Sequence, residues 1–443
     1  MGTKDDYRRS RRDGRGNAKI IYVLLDGVGD LPHPSLNHLT PLESAYTPNL
    51  DALARRGRMG MVYTVGKGIA PESDIAVFSM LGYRFRDEEY AGRGMIEAIG
   101  AGIDVRDGDL AMRGNFATVD GEGRIVDRRV GRNLADEEAK ELVREVKDGV
   151  RLDGAEYELV HTRGHRVVLR IRAKDRLSAD ISNTDPAYER VKGMGVAKEV
   201  HDVRMSIDRC KALSRSSAAL LSARLVNEFT EKAIGVLRGS GVNERRRSMG
   251  MLEANCILLR DAGSRLPRVE PISSRYDAVF ACIVDMPVEY GIARVTGMAI
   301  LDGGGMKDYE IKARRALEAL SRYDAVYVHL KGPDEFGHDG NARGKEESIE
   351  EIDAKFFGEL NTHASDRIFV VVSGDHSTPC IKKAHSADPV PLLVSSTSSD
   401  YRNDGLGRFT EREARRGSIG YLMGYDVLSR VFSIISTTMS DHR

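Results

Sequence analysis

The chain has 443 residues, 41% hydrophobic and 30% charged, the balance of a globular protein with room for two or three domains. Lys plus Arg and Asp plus Glu number 67 each, so no net field draws the chain to nucleic acid or to an acidic membrane. No apolar run reaches the roughly 18 residues of a membrane helix, and no signal peptide is legible, which points to a cytoplasmic protein.

Residues 1–17 are polar and Arg-rich and read as a disordered basic tail. Gly2 is not a myristoylation site, because position 6 is Asp rather than Ser or Thr. "IIYVLL" at 20–25 is a continuous apolar run, as in a strand buried on both faces. "TPNLDALARRG" at 47–57 predicts a helix with Thr47 as cap, Pro48 in its first position and Gly57 as stop. In "GIAPESDIAVFSMLGY" at 68–83 a second helix begins near Ser73 and ends at Gly82.

The stretch 107–268 differs in texture. "NFATVD", "RIVDRRV", "YELVHTR" and "HRVVLRIRA" are short strand patterns dense in arginine, followed by a long helical pattern at about 214–238. "NERRRS" at 243–248 reads as a loop. Beyond 268 apolar strands return at 278–284, 325–330, 368–372 and 390–394, separated by helical patterns. In 308–320 the inward face is Ile311, Ala316, Leu317 and Leu320; in 345–363 it is Ile349, Ile352, Phe356 and Leu360. The charges of "ESIEEIDAKFFGEL" are assigned to the solvated face of that last helix. The expected fold class is α/β: a mostly parallel sheet with helices on both faces, formed by 18–106 and 269–443, with 107–268 as an inserted smaller α+β domain.

The four cysteines (Cys210, Cys256, Cys282, Cys380) are scattered and make no C-x-x-C pair, so any metal must be held by oxygen and imidazole. Three strand-like runs end in carboxylates: "YVLLDGVGD" in Asp26, "HLKGPDEFGHDGN" in Asp334, "VVVSGDHSTP" in Asp375. His338 follows Asp334 by four residues, His376 adjoins Asp375, and His385 stands just before the next strand. Ligands gather at the carboxyl ends of strands in open α/β sheets. If these strands are parallel neighbours, the carboxylates converge, and cations would resolve their mutual repulsion. Six such ligands exceed what one catalytic zinc takes and divide naturally between two ions, an arrangement suited to phosphoryl transfer. Ser73, at a helix amino terminus, is either a plain N-cap or a nucleophile near an anion site. No histidine is close to it in the sequence, so as a nucleophile it would depend on metal for activation.

Several stretches match a known pattern in order from about residue 20 to 395: "DGVGD", "TPLESAYTPNLDALA", "ESDIAVFSMLGY", "YAGRGMIEAIGAGI", "NFATVD", "DRRVGR", "SNTDP", "ANCILLR", "KGPDEFGHDGN", "GDHSTPC" and "HSADPVPLL". The set resembles the alkaline phosphatase superfamily and, more closely, the archaeal type of cofactor-independent phosphoglycerate mutase. The resemblance implies an alkaline phosphatase-like core with Asp26, Ser73, Asp375 and His376 on one divalent ion and Asp334, His338 and His385 on the other. It implies manganese, with zinc, cobalt or magnesium compatible with the same donors, and no requirement for 2,3-bisphosphoglycerate. The implied reaction interconverts 3-phosphoglycerate and 2-phosphoglycerate in glycolysis and gluconeogenesis, with Ser73 phosphorylated on the way. Glu72 stands where the family commonly has Gly.

In this scheme the inserted domain closes over the core, excludes water and grips the substrate anions through arginine. Arg129, Arg132, His165, Arg166 and Asp185 are the expected contacts. A related metal-dependent phosphatase, or a phosphomutase for another small phosphorylated substrate, is the enzymatic alternative; a metal-binding scaffold without chemistry is the non-enzymatic one. The sequence leaves the oligomeric state open.

Overall fold

The computed structural model describes residues 18–85, 90–191, 194–197, 205–363, 368–396 and 401–440; the expected basic tail lies outside them. In chain order the strands are β1 (Lys19–Leu25), β2 (Gly57–Tyr63), β3 (Leu110–Val119), β4 (Ile125–Asp127), β5 (Ala155–Arg163), β6 (Arg166–Ala173), β7 (Tyr188–Val191), β8 (Met194–Ala197), β9 (Cys256–Gly263), β10 (Phe280–Ile283), β11 (Ala299–Ile300), β12 (Ala325–Leu330), β13 (Ile368–Gly374), β14 (Val390–Ser396) and β15 (Gly420–Met423). Two compact units share them. One comprises residues 1–84, 269–286 and 293–443, the other 85–268 and 287–292. The division falls at Phe85 rather than 107 because the helix Arg93–Gly100 packs on β3 and β9, inside the second unit.

The first unit is built on an eight-stranded sheet in the order β11-β10-β12-β1-β13-β14-β2-β15. All neighbours are parallel except β13–β14 and β14–β2, so β14 alone runs against the rest. Expecting the strand at 390–394 to join a parallel run therefore needs correction. The connection 375–389 begins and ends at the carboxyl edge of β13, so the chain returns beside β13 antiparallel to it. Ile20–Leu25 are buried on both faces, as their unbroken apolar run requires. On one face Ile21, Val23 and Leu25 pack with Leu50, Leu53, Ala313, Ala316, Ile349, Ile352, Phe356 and Leu360 from three helical segments. On the other, the Tyr22 hydroxyl donates to the Met80 carbonyl at 3.0 Å, and Phe280 meets Phe432 of the last helix.

Several local expectations shift. The helix Pro48–Arg55 takes no cap from the Thr47 side chain. Asp353 caps it instead, its carboxylate accepting from Asn49 N at 3.2 Å and Leu50 N at 2.7 Å. Asp353 is buried, so "ESIEEIDAKFFGEL" is not uniformly a solvated face. In the helix Tyr309–Ala319, Ile311 is exposed and Lys312 is buried in an ion pair with Asp285 at 2.8 Å. The buried face is Tyr309, Lys312, Ala313, Ala316, Ala319 and Leu320, so Ala316 and Leu320 lie where expected, Leu317 packs against the core, and Ile311 alone does not.

The second unit is an antiparallel sheet in the order β4-β3-β6-β5, with β9 also paired to β3, and β7–β8 forms a separate two-stranded pair. The helices Asp136–Gly149 and Ser217–Arg238 bury Leu142, Val146, Leu225 and Phe229 against Leu110, Met112, Leu169 and Ile257. "NERRRS" is not a loop: Gly241–Ser248 is a helix. Its Arg246 is fully buried, donating to Leu252 O, Glu138 Oε2 and Asn133 Oδ1. A charged run conceals a helix when one charge is paired inside.

Candidate metal centre

β12, β1 and β13 are adjacent and parallel, with Leu25 level with both Leu330 and Gly374. Asp26 and Asp375 are the next residues, so their side chains emerge side by side. After β12, Gly332 turns the chain with φ +146°, where a Cβ would lie 2.4 Å from Ser348 Oγ. The helix Pro333–Asp339 follows, with Asp334 in its first turn and His338 one turn on. His385 reaches the same edge because β14 is reversed: the whole connection 375–389 begins and ends there. β2 points the same way as β13, and the chain beyond it leads to the helix Ser73–Met80. Ser73 is the first residue of that helix; Glu72, not Ser73, occupies the N-cap position.

Two triads of donor atoms result. Asp334, His338 and His385 offer atoms all within 4.8 Å of one another, and so do Asp26, Asp375 and His376. Ser73 Oγ lies 3.1 Å from His376 Nε2. The histidine missing near Ser73 in sequence is thus supplied by a residue about three hundred positions away. His376 and His385 stack at 3.8 Å between ring centroids, joining the two groups. All seven residues expected around the ions therefore stand together.

Their electrostatics are those of a site built for cations. Burial pushes the Asp26 carboxyl up to about 7, against the pull of Lys331 Nζ at 3.0 Å, and Asp375 and Asp334 add to the rise. Burial also acts against ionised Asp375 and Asp334, but neighbouring imidazoles outweigh it and hold both below the usual carboxylate range. Burial pushes His376 down to about 3. Burial opposes the charge on His385 too, but Asp334, 3.6 Å away, and Glu72 overcome it and raise the ring to about 9. Glu72, beside Ser73, thus acts on His385. Asp375 Oδ2 is fully buried and faces His376 Nε2 at 3.3 Å and His329 Nε2 at 3.5 Å. With hard carboxylate oxygens and imidazole nitrogens in both triads, the residues present fit two divalent ions.

The second unit gathers the other expected residues. Asp185 is fully buried and takes a bidentate pair from Arg128 (2.7 and 3.1 Å) and a third bond from Arg260 (3.1 Å). Burial lowers Arg129, and Arg132, Arg128 and Arg260 lower it further. Burial brings Arg166 down to about 10, with Arg113 adding to the fall and Glu97 opposing it. His165 is pushed to about 3 by burial and by Arg166, Arg129, Arg260 and Arg132. Burial and the neighbouring guanidinium groups together disfavour positive charge on Arg129, His165 and Arg166. The turn carrying two of them is strained: Val130 and Arg132 have φ of 53° and 56°, a region costly for a β-branched residue.

The profile of the family described as 2,3-bisphosphoglycerate-independent phosphoglycerate mutase matches residues 54–243. A protein of that name from Aeropyrum pernix is 45% identical over 434 residues, covering 94% of this chain and all of that one. The chain belongs to the 2,3-bisphosphoglycerate-independent phosphoglycerate mutase family. A second mutase, from Methanopyrus kandleri, is 40% identical over 93% of this chain and 95% of its own. Two solved structures are similar at 30% identity over 94% of this chain: a Pyrococcus horikoshii protein (97% of that chain, TM-score 0.74) and the cofactor-independent phosphoglycerate mutase of Thermoplasma acidophilum (100%, TM-score 0.61).

Sequence reasoning missed several residues of this mutase-family site. Lys331 and His329 stand behind Asp26 and Asp375, the latter with Nε2 3.5 Å from Asp375 Oδ2. Their signal was present, since both sit in "HLKGPD", His329 on β12 and Lys331 just past its end, ahead of Asp334. Arg128 precedes Arg129 in "DRRVGR", and of the two it is Arg128 that grips Asp185. Arg260 and Glu97 lie inside the quoted stretches "ANCILLR" and "YAGRGMIEAIGAGI" without having been singled out, and Arg113 had no local signal.

Proposed function

We propose that the protein interconverts 3-phosphoglycerate and 2-phosphoglycerate in the cytoplasm, serving glycolysis and gluconeogenesis, through a phosphoserine on Ser73 and without 2,3-bisphosphoglycerate. The observation that carries the reading is Ser73 Oγ, at a helix amino terminus, standing 3.1 Å from His376 Nε2 on the rim where both donor triads meet. Asp26, Ser73, Asp375 and His376 would hold one divalent ion, and Asp334, His338 and His385 the other, with manganese the metal the family implies. Bound there, the ions would lower the pKa of the serine hydroxyl and neutralise phosphoryl charge.

Ser73 Oγ attacks phosphorus in line and gives up its proton; the P–O bond to glycerate breaks, and the departing glycerate oxygen takes up that proton, so the transfer releases none. The free backbone N–H groups at the start of Ser73–Met80 face the phosphoryl oxygens. Glycerate then presents its other hydroxyl, which displaces Ser73 and carries the phosphoryl group away. Arg129, Arg132, His165 and Arg166 bind the anionic groups and retain glycerate between the two transfers, and Asp185 holds Arg128 and Arg260 in place beside them. Retention separates a mutase from a phosphatase, because water admitted at that moment hydrolyses phosphoserine.

Phosphorus NMR on purified protein with Mn2+ and 3-phosphoglycerate tests the reading. The 2-phosphoglycerate resonance should grow with no bisphosphoglycerate added. Release of inorganic phosphate with no isomer would replace the mutase by a phosphatase.

A further inference from the structure

Thr378 lies three residues past Asp375, belongs to neither donor triad, and is fully buried. Its hydroxyl stands between the two triads, 2.7 Å from Asp334 Oδ1 and 3.0 Å from His376 Nδ1. Every other polar atom of the residue is also engaged. Its N–H donates to Gly29 O at 3.0 Å, and its carbonyl accepts from Lys345 Nζ at 2.9 Å. The hydroxyl is walled in as well: a Cβ on Gly27 would lie 2.8 Å from Thr378 Oγ1 and 2.7 Å from Asp334 Oδ1, and Gly27 has φ +62°. Gly27 thus packs directly against the hydroxyl and its Asp334 partner, where no other residue would fit.

A hydroxyl carries one proton. Were it aimed at His376 Nδ1, a lone pair of Oγ1 would face a carboxylate oxygen at 2.7 Å, which is repulsive. The proton must point to Asp334, and Oγ1 then accepts from His376. So Nδ1 carries the ring proton, and the lone pair is left on Nε2, the atom facing Ser73 Oγ, Asp26 and Asp375.

We propose that Thr378 is a positioning residue that sets the tautomer of His376 and the orientation of Asp334 together, so that one hydroxyl prepares a donor in each triad for its ion. This rests on the metal-centre reading given above. A histidine ligand is commonly fixed through its other nitrogen, and losing such a partner weakens metal binding about 10–100-fold. Here the partner is shared between two ligand sets.

The test titrates Mn2+ alone into metal-free wild type, Thr378→Val and Thr378→Ser by calorimetry, and reads the His376 tautomer by nitrogen-15 NMR of histidine-labelled metal-free protein. Wild type should take up two ions and show protonated Nδ1. Thr378→Val keeps the shape but not the hydroxyl; it should bind Mn2+ about 10–100-fold more weakly and move the ring proton to Nε2. Thr378→Ser should restore both readouts, which a purely space-filling role would not predict. Wild-type Mn2+ affinity in Thr378→Val, or a wild-type ring protonated on Nε2, would overturn the proposal; the second readout holds even if the valine variant fails to fold. Two ions failing to bind wild type at all would instead overturn the metal-centre reading and this inference with it.

Discussion

At the scale of single residues, the metal centre was legible because its chemistry is carried by residue types that strand ends rarely collect by chance. Asp26, Asp334 and Asp375, each just past an apolar run, could be read in one dimension. What surrounds them could not. Thr378 acts through a hydrogen that points to a residue 44 positions away, and its own stretch would be as plausible with serine, asparagine or alanine. Ser73 falls between these cases: its place at a helix start was visible, but its contact with His376 spans the fold. Its role is separable from metal binding, since three other donors remain to hold that ion. Ser73→Ala is expected to lower turnover by at least about 1000-fold while Mn2+ content, measured on the purified variant, stays at two per chain. Activity within a few-fold of wild type would remove the nucleophile from the mechanism.

At the scale of elements, the runs and their order were readable, whereas direction and capping were not. β14 looks like its neighbours in composition, yet it is reversed, and only that reversal brings His385 to the carboxyl edge. Strand direction is decided by where the connecting chain lies, which a fifteen-residue loop does not announce. Capping shows the same limit. A threonine before Pro48 is the expected cap, but Asp353, on another helix, reaches in and satisfies Asn49 N and Leu50 N. Asp353 sits in a π-turn over Asp353–Phe357, which interrupts the helical register between Ile352 and Gly358 and marks a site of tertiary demand. Two variants separate the local cap from the distant one. Thr47→Val keeps the buried shape and loses only a 3.4 Å hydrogen bond to Asp51, so it should cost less than about 1 kcal/mol. Asp353→Ala removes a buried cap and should cost about 1–2 kcal/mol. Urea unfolding of both decides between them, and equal losses would return the cap to Thr47.

At the scale of the whole molecule, formal charge balances to zero, but each unit buries a titrating group of the opposite sense. In the first unit, burial raises Glu411 to about 7 from 4.5, with Oε2 accepting from Thr40 at 2.8 Å and Oε1 from Asp30 N at 3.3 Å. A raised carboxyl binds its proton more tightly when folded. Its contribution is complete below pH 4.5 and is lost as pH rises through 7, on the order of 3 kcal/mol. In the second unit, burial and four arginines push His165 from 6.5 to about 3. Folded His165 stays neutral where the unfolded chain takes up a proton, so its contribution is present above 6.5 and is lost as pH falls toward 3. The first unit should therefore weaken as pH rises from 5 to 8, and the second as it falls from 7 to 4. Hydrogen exchange by mass spectrometry on metal-free protein, corrected for intrinsic rates, follows β1 and β14 for one unit and β3 for the other. Glu411→Gln keeps one acceptor oxygen and replaces the other by an NH2, much as the protonated acid does, so it should lessen the pH slope of β1 and β14 and leave β3 unchanged, the remaining slope being that of Asp26, whose carboxyl is raised over the same range. His165→Asn should flatten that of β3 alone. A Glu411→Gln variant whose β1 and β14 amides keep the wild-type slope would mean that the buried carboxyl is not the group that titrates there.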